Sequence, residues 1–368
     1  MDFRLLLEFA FGLILIFLIL ELKLPPARKT PIKTKRLLFF DFVKGLAIIA
    51  VIGMHVADHY TNNYINTLKL ITSFAVPLFI ICSGYLLSLR YRIKIDLKKY
   101  YSRFFFRIVL IYLLFTLFQY FLTYIRSGAF NVIGFFLDLI LGYGNYYFIP
   151  LIIQFYILFP ILSKFQKFFK NFYLISAIFA FSLFFLYLDL KLRALAWNSN
   201  RVSLCFFGGY LLYFIIGMYL PKLDLSELSS SKTTKFFVWF ISSSIILSLL
   251  YSKLILTYFY PIFIFLFFRI FYNYFSTSLM ASKIFNLFGE FGKNSLVIYL
   301  IHTNILVYFI NFKYSKMTFF NAELNWIIRY ILFVTVVLLL SYICSRIFMY
   351  LYNRILEYTK IRESKKKN

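Results

Sequence analysis

The sequence predicts an all-α protein: a polytopic transmembrane helical bundle of about ten core spans plus one extra N-terminal span. Three observations predict it. Hydrophobic residues fill 62% of the 368 positions, well above the roughly 45–50% of soluble domains. They gather into repeated apolar stretches of about 20 residues, the length at which a helix crosses hydrocarbon. The third is the placement of charge. Forty Lys and Arg against 14 Asp and Glu give a formal net charge of +26, and the basic residues fall mainly between the apolar runs. That follows the positive-inside rule and attraction to anionic headgroups. It makes the lipid bilayer a partner and excludes nucleic acid, which would need a basic soluble module.

The elements follow in order. Residues 1–24 ("MDFRLLLEFAFGLILIFLILELKL") carry Asp2 and Glu8 early, an apolar run too long for a signal peptide and no small-residue cleavage site, so they read as a retained anchor. Residues 25–36 form a basic, proline-containing linker on the cytoplasmic side. The domain over 37–350 then alternates across the membrane, with runs near 37–57, 68–89, 104–124, 146–162, 171–188, 203–220, 236–251, 254–272, 289–310 and 326–350. The segment 131–142 is too short to span. Residues 351–368 form a basic cytoplasmic tail. Simple alternation puts nearly every basic loop on one face, which implies a multi-pass plasma-membrane protein with basic loops and C-terminus in the cytoplasm.

Cys82, Cys205 and Cys344 each lie inside an apolar run, with neither metal-ligand nor disulfide spacing, and read as small packing residues. No metal is expected. The 51 Phe and 31 Tyr exceed what interfacial belts need and read as lipid-facing and packing residues.

A charge at the bilayer centre costs at least about 2.5–3.5 kcal/mol, so ionisable groups inside spans are the functional candidates. Lys44 and His55 are eleven residues apart. At about 100° per residue they fall within roughly 20° of each other and about 16 Å apart along the axis. Asp41, one turn before Lys44, can pair with it. The three make a stripe from one mouth of the span toward the other. In "SFAVPLFIICSGYLLSLR", Pro77 and Gly84 can loosen a helix and Ser83 puts a hydroxyl beside them, which suits helix packing or the lining of a pocket. Arg103 and Arg107, at i and i+4, share a face at the start of a span; they suit either the positive-inside rule or a polyanion. In "GEFGKNSLVIYLIHTNIL", Asn294 and Ser295 are candidate helix caps and His302 lies deep in a span.

Together these stretches resemble the acyltransferase-3 family of integral membrane acyltransferases. "KGLAIIAVIGMH", from Lys44 to His55, is similar to the family's basic residue, ten residues, then His, with Asp41 at its acidic position. "VPLFIICSGYLL", "YYFIPLIIQFYILFP" and "GKNSLVIYLIH" resemble three further family stretches, in the family's order. Three departures stand out: Arg103 and Arg107 are four apart where the family commonly has three, Lys44 stands where Arg is commoner, and Tyr146–Tyr147 stand where Trp commonly opens the fourth span.

The resemblance implies an acyltransferase for groups other than aminoacyl. It would move an acyl group, often acetyl, from cytoplasmic acyl-CoA to a hydroxyl of a surface glycan or lipid-linked sugar. Acyl-CoA would be a co-substrate, with no cofactor held permanently. His55 would be the general base, since an imidazole with a pKa of about 6.5 can take a hydroxyl proton at neutral pH. Lys44, held by Asp41, would complete the catalytic set, and Arg103, Arg107, Ser83 and His302 would bind substrate. The alternative from another class is a transporter or flippase of a lipid-linked sugar, which also needs ionisable groups within spans.

Overall fold

The computed structural model describes residues 38–59, 65–143, 146–165, scattered positions within 174–185, 206–222, 254–275, 278–316 and 326–367. The N-terminal anchor, the linker and the run at 236–251 lie outside the described residues. Among those described there is no strand. Five helices are long and apolar enough to cross a membrane, and the protein is a helical membrane protein.

The central helix is α1 (Leu38–Ala57), apolar on nearly all sides and buried from Phe39 to Ala57 with few interruptions. A helix hydrophobic all round belongs in an interior, and α1 has one: α2 (Ile65–Thr72), α3 (Ala75–Arg90), α9 (Leu254–Phe275), α10 (Leu279–Lys293), α11 (Ser295–Lys316) and α12 (Trp326–Lys367) all pack against it. The run expected at 68–89 is interrupted: α2 ends at Thr72 and α3 begins at Ala75. Pro77 therefore sits in the first turn of α3, where its missing N–H costs nothing. Next come α4 (Leu97–Phe104), a π-helical turn (Phe105–Val109) and α5 (Leu110–Ser127), which ends on Gly128 in the left-handed region at φ 68°. The short α6 (Val132–Leu141) starts on Asn131, whose side chain accepts from the Gly134 N–H, and α7 (Phe148–Phe165) follows. A 3₁₀ turn (Phe207–Tyr210) leads into α8 (Leu211–Tyr219).

Two crossings bring backbones into contact. A Cβ on Gly45 would stand 1.9 Å from the Phe288 carbonyl oxygen, and one on Gly292 1.8 Å from that of Asp41, so α1 and α10 touch main chain to main chain. The α3–α8 crossing repeats the device, with Gly84 against Phe214 and Gly217 against Ile81. Small residues permit such approach, and in lipid, close packing is a main source of helix association.

Tyrosine supplies a second device. Hydroxyls of Tyr100, Tyr112, Tyr146, Tyr260 and Tyr352 donate to the backbone carbonyls of Tyr156, Asp138, Leu300, Ile71 and Phe106, each on a different helix from the donor. A phenol inside a membrane domain has no water to turn to, so it fastens to another helix. The tyrosine-rich composition thus tethers helices as well as packing them. Outward faces, such as Phe118 and Phe121 on α5 and Ile331, Ile343 and Ile347 on α12, expose large apolar groups suited to lipid. Cys82 is buried as expected, while Cys344 faces outward on α12.

The long helix α12 does not stop near 350: it continues unbroken to Lys367, carrying the basic tail as its last turns.

Candidate active site

The ionisable stripe on α1 has two differently built ends. At the first, Lys44 Nζ lies 3.1 Å from Asp41 Oδ1, in the i,i+3 pairing expected. Asp41 is buried, and its backbone carbonyl is the atom packed against Gly292. The close approach of α10 therefore fixes the turn from which the pair projects.

At the other end stands His55, its side chain 13% exposed. His302 arrives from α11 fully buried, and the two imidazole rings are 5.3 Å apart, centroid to centroid. His302 Nδ1 is 2.7 Å from the Tyr299 carbonyl. Facing a carbonyl, that nitrogen carries the proton, which leaves a lone pair on Nε2. His302 Nε2 is buried with no hydrogen-bond partner among the described residues. A buried acceptor left unmatched is costly, and here it lies beside the other deep histidine.

Behind His55, Asp58 Oδ2 is 3.6 Å from His55 Nδ1, and Asp58 Oδ1 is 2.5 Å from Lys69 Nζ on α2. The neighbouring His55 and Lys69 hold the Asp58 carboxyl down to about 2 against partial burial, so it stays ionised at any physiological pH. His59 is exposed.

The turn of α11 that carries His302 is clamped by Tyr146, just ahead of α7. Its hydroxyl donates to the Leu300 carbonyl at 2.5 Å and accepts from Thr303 at 3.4 Å, Asn304 at 3.3 Å and Gln119 at 3.5 Å. Three of these partners bracket His302 in sequence. Asn294, expected as a cap, closes α10 and sends its side-chain amide to the Glu290 carbonyl at 3.1 Å. Gly289 and Gly292 thus end one helix, and the span bearing His302 begins only at Ser295.

A second group forms around α7. Ser83 is hydrogen-bonded to the Tyr156 hydroxyl, and Arg107 and Arg90 act on that hydroxyl electrostatically. The Tyr156 ring stacks on Phe104 with centroids 5.1 Å apart. Of the residues expected to bind substrate, the structure thus joins Ser83 with Arg107, and His302 with His55. Arg103 and Arg107 are both exposed. The π turn begins between them, at Phe105.

Sequence reasoning missed Tyr146, Tyr156 and the Asp58–Lys69 pair as site residues. Asp58 carried a usable signal, three residues from His55 on the same helix. Tyr146 stood out only as a departure from the family's usual Trp, and neither tyrosine's partners could be read, because they lie tens to hundreds of positions away. Among the described residues, no group of three or more His, Cys, Asp or Glu is placed to hold a metal.

Fold and site together define a class: a helical membrane protein whose buried helix α1 carries a lysine–carboxylate pair and a histidine that meets a second histidine from α11. The chain belongs to the acyltransferase-3 family, whose acyltransferase-domain model matches residues 37–346. No curated protein and no solved structure matches it. It is a membrane acyltransferase.

Proposed function

We propose that the protein moves an acyl group, acetyl as the simplest case, from cytoplasmic acyl-CoA to a hydroxyl of a surface glycan or lipid-linked sugar at the opposite face of the plasma membrane. The observation that carries this reading is the meeting of His55 and His302 inside the bundle, 5.3 Å apart, with His55 on the helix that also carries the Asp41–Lys44 pair. A donor and an acceptor from opposite sides need polar groups along one path, and α1 supplies them over about 16 Å. The basic connections and the basic last turns of α12 support a cytoplasmic position for the Lys44 end.

In this reading His55 Nε2, the nitrogen turned away from Asp58, takes the acceptor's hydroxyl proton. The oxygen attacks the thioester carbonyl, the C–S bond breaks, and the imidazolium returns its proton to the departing thiolate. General acid–base catalysis of this kind is worth roughly 10²–10⁴-fold. His302 Nε2 accepts a hydrogen bond from the acceptor and orients it. Lys44, steadied by Asp41, contacts the donor near the cytoplasmic mouth, and Arg107 with Arg103 and Ser83 holds the CoA polyphosphate end.

The test is transfer of labelled acetyl from acetyl-CoA by membranes bearing wild type or His55→Ala. Label in a lipid or glycan fraction with wild type alone supports both enzyme and base. Equal transfer by both removes His55 as the base. A wild type that neither consumes acetyl-CoA nor labels any fraction rejects acetyl as the donor group, and longer acyl-CoAs come next.

A further inference from the structure

The third apolar run contains a defect in its helix, and a residue from the far end of the chain is fastened to it. Within the turn Phe105–Val109, the Leu110 N–H bonds to the Phe105 carbonyl, five residues back. In an α-helix that N–H would go to the Phe106 carbonyl. The Phe106 oxygen instead accepts a hydrogen bond from the Tyr352 hydroxyl at 2.5 Å. Tyr352 lies on α12, beyond the stretch the sequence assigned to the membrane. It is 8% exposed, and its ring stacks on Phe348 with centroids 5.9 Å apart and planes at 11°. Phe348 in turn contacts Phe115 on α5 at 4.9 Å. The C-terminal half of α12 is thus seated against the π turn at Phe106 and against α5 at Phe115.

A π turn places one more residue in the turn than an α-helix would. Whether that extra residue falls before or after Arg107 changes the angle at which Arg107 leaves the bundle by about 100°. Nothing in the apolar sequence "FFRIV" fixes the choice, since neighbouring Phe, Ile and Val side chains are nearly interchangeable toward lipid. An external donor aimed at one carbonyl does fix it, because a carbonyl without a partner in a membrane domain is costly.

We propose that Tyr352 is a positioning residue for the acyl donor. Its hydroxyl pins the π turn at Phe106 and so sets the direction of Arg107 toward the donor's phosphates. The proposal rests on the reading of Arg107 as a donor-binding group. It makes the C-terminal helix part of the donor site without touching the substrate.

The test compares wild type, Tyr352→Phe, Arg107→Ala and the double variant in membranes or detergent. Two donors are used: acetyl-CoA, and the acetyl thioester of N-acetylcysteamine, which carries no phosphate. Tyr352→Phe keeps the ring and its stacking on Phe348 and removes one oxygen. The expected result is a KM for acetyl-CoA raised about 3–10-fold, the usual weight of one net hydrogen bond. We expect kcat within about twofold of wild type, no change with the short thioester, and no further rise in KM when Tyr352→Phe is added to Arg107→Ala. A wild-type KM in Tyr352→Phe beside a raised KM in Arg107→Ala overturns the positioning role and leaves the donor site standing. An unchanged KM in Arg107→Ala rejects Arg107 as a donor group, and the proposal falls with it. An equal loss of kcat on both donors in Tyr352→Phe overturns the proposal too, since it marks general destabilisation.

Discussion

The two ends of α1 are held by opposite means. Around Asp41 and Lys44 the constraint is steric: main chain meets main chain across Gly45 and Gly292, with Phe42 packed on Phe285 and Phe288 beside the seam. Around His55 and His302 it is polar: Asp58, Lys69 and the Tyr146 hub hold the site through hydrogen bonds and charge. The difference is one of tolerance. A backbone crossing has no way to accommodate one extra carbon, whereas a hydrogen-bonded clamp that loses one atom can still hold through its remaining members.

The sharpest way to break the comparison is at the steric end. Gly292→Ala and Gly45→Ala each place a carbon less than 2 Å from a carbonyl oxygen of the facing helix, so the helices must part. Overpacking of this kind costs about 1–3 kcal/mol and sometimes more. Both variants are expected to melt well below wild type in detergent and to lose transfer activity, because the turn carrying Asp41 and Lys44 moves with the seam. Gly209→Ala serves as the control, since a methyl there meets nothing within 4 Å. A normal melting curve for Gly292→Ala would mean that the crossing is looser than described.

At the polar end, Tyr146→Phe removes the donor to Leu300 and leaves the Gln119, Thr303 and Asn304 side chains without their common acceptor. Buried groups left unmatched cost about 1–3 kcal/mol, a loss that thermal melting would register. If the hub orients His302, acetyl transfer should fall by more than the loss of folded protein explains, by about tenfold. A rate that falls only in step with the folded fraction would reduce Tyr146 to a structural tether.

The same division decides what could be read from the sequence. The extent of α1, the Asp41–Lys44 pair and the short α6 all follow from period and spacing within one helix, and the structure keeps them. The glycine seam was not legible, because Gly289 and Gly292 read as the start of the span at 289–310 that contains His302. Their role depends on what faces them across α1. The π turn was hidden for a related reason: "FFRIV" suits either helix type, and what selects the π form is Tyr352, 246 residues further on. The tyrosine excess was visible as composition, yet the partners of Tyr100, Tyr112, Tyr146, Tyr260 and Tyr352 include backbone carbonyls, which no residue identity advertises.

The smallest effect is expected at Asp58, and it is the one that separates charge from structure. Asp58→Asn keeps the size and a hydrogen-bonding oxygen while removing the charge between His55 and Lys69. Because Asp58 is 48% exposed, its ion pair with Lys69 contributes little to stability, and the melting temperature near neutral pH should barely move. Acid should distinguish the two proteins. The Asp58 carboxyl is lowered from 3.8 to about 2 in the folded chain, so its contribution is present above about 4 and is lost as pH falls through about 2. Wild type is therefore expected to lose its small advantage over Asp58→Asn across that window, and the two melting curves should converge. Transfer at neutral pH should drop by a few-fold, because His55 loses the carboxylate that favours a proton on Nδ1 and a lone pair on Nε2. Curves that keep a constant separation from pH 7 to pH 2 would mean the Asp58 charge is not coupled to folding. An unchanged rate would then leave His55 to be oriented by the bundle alone.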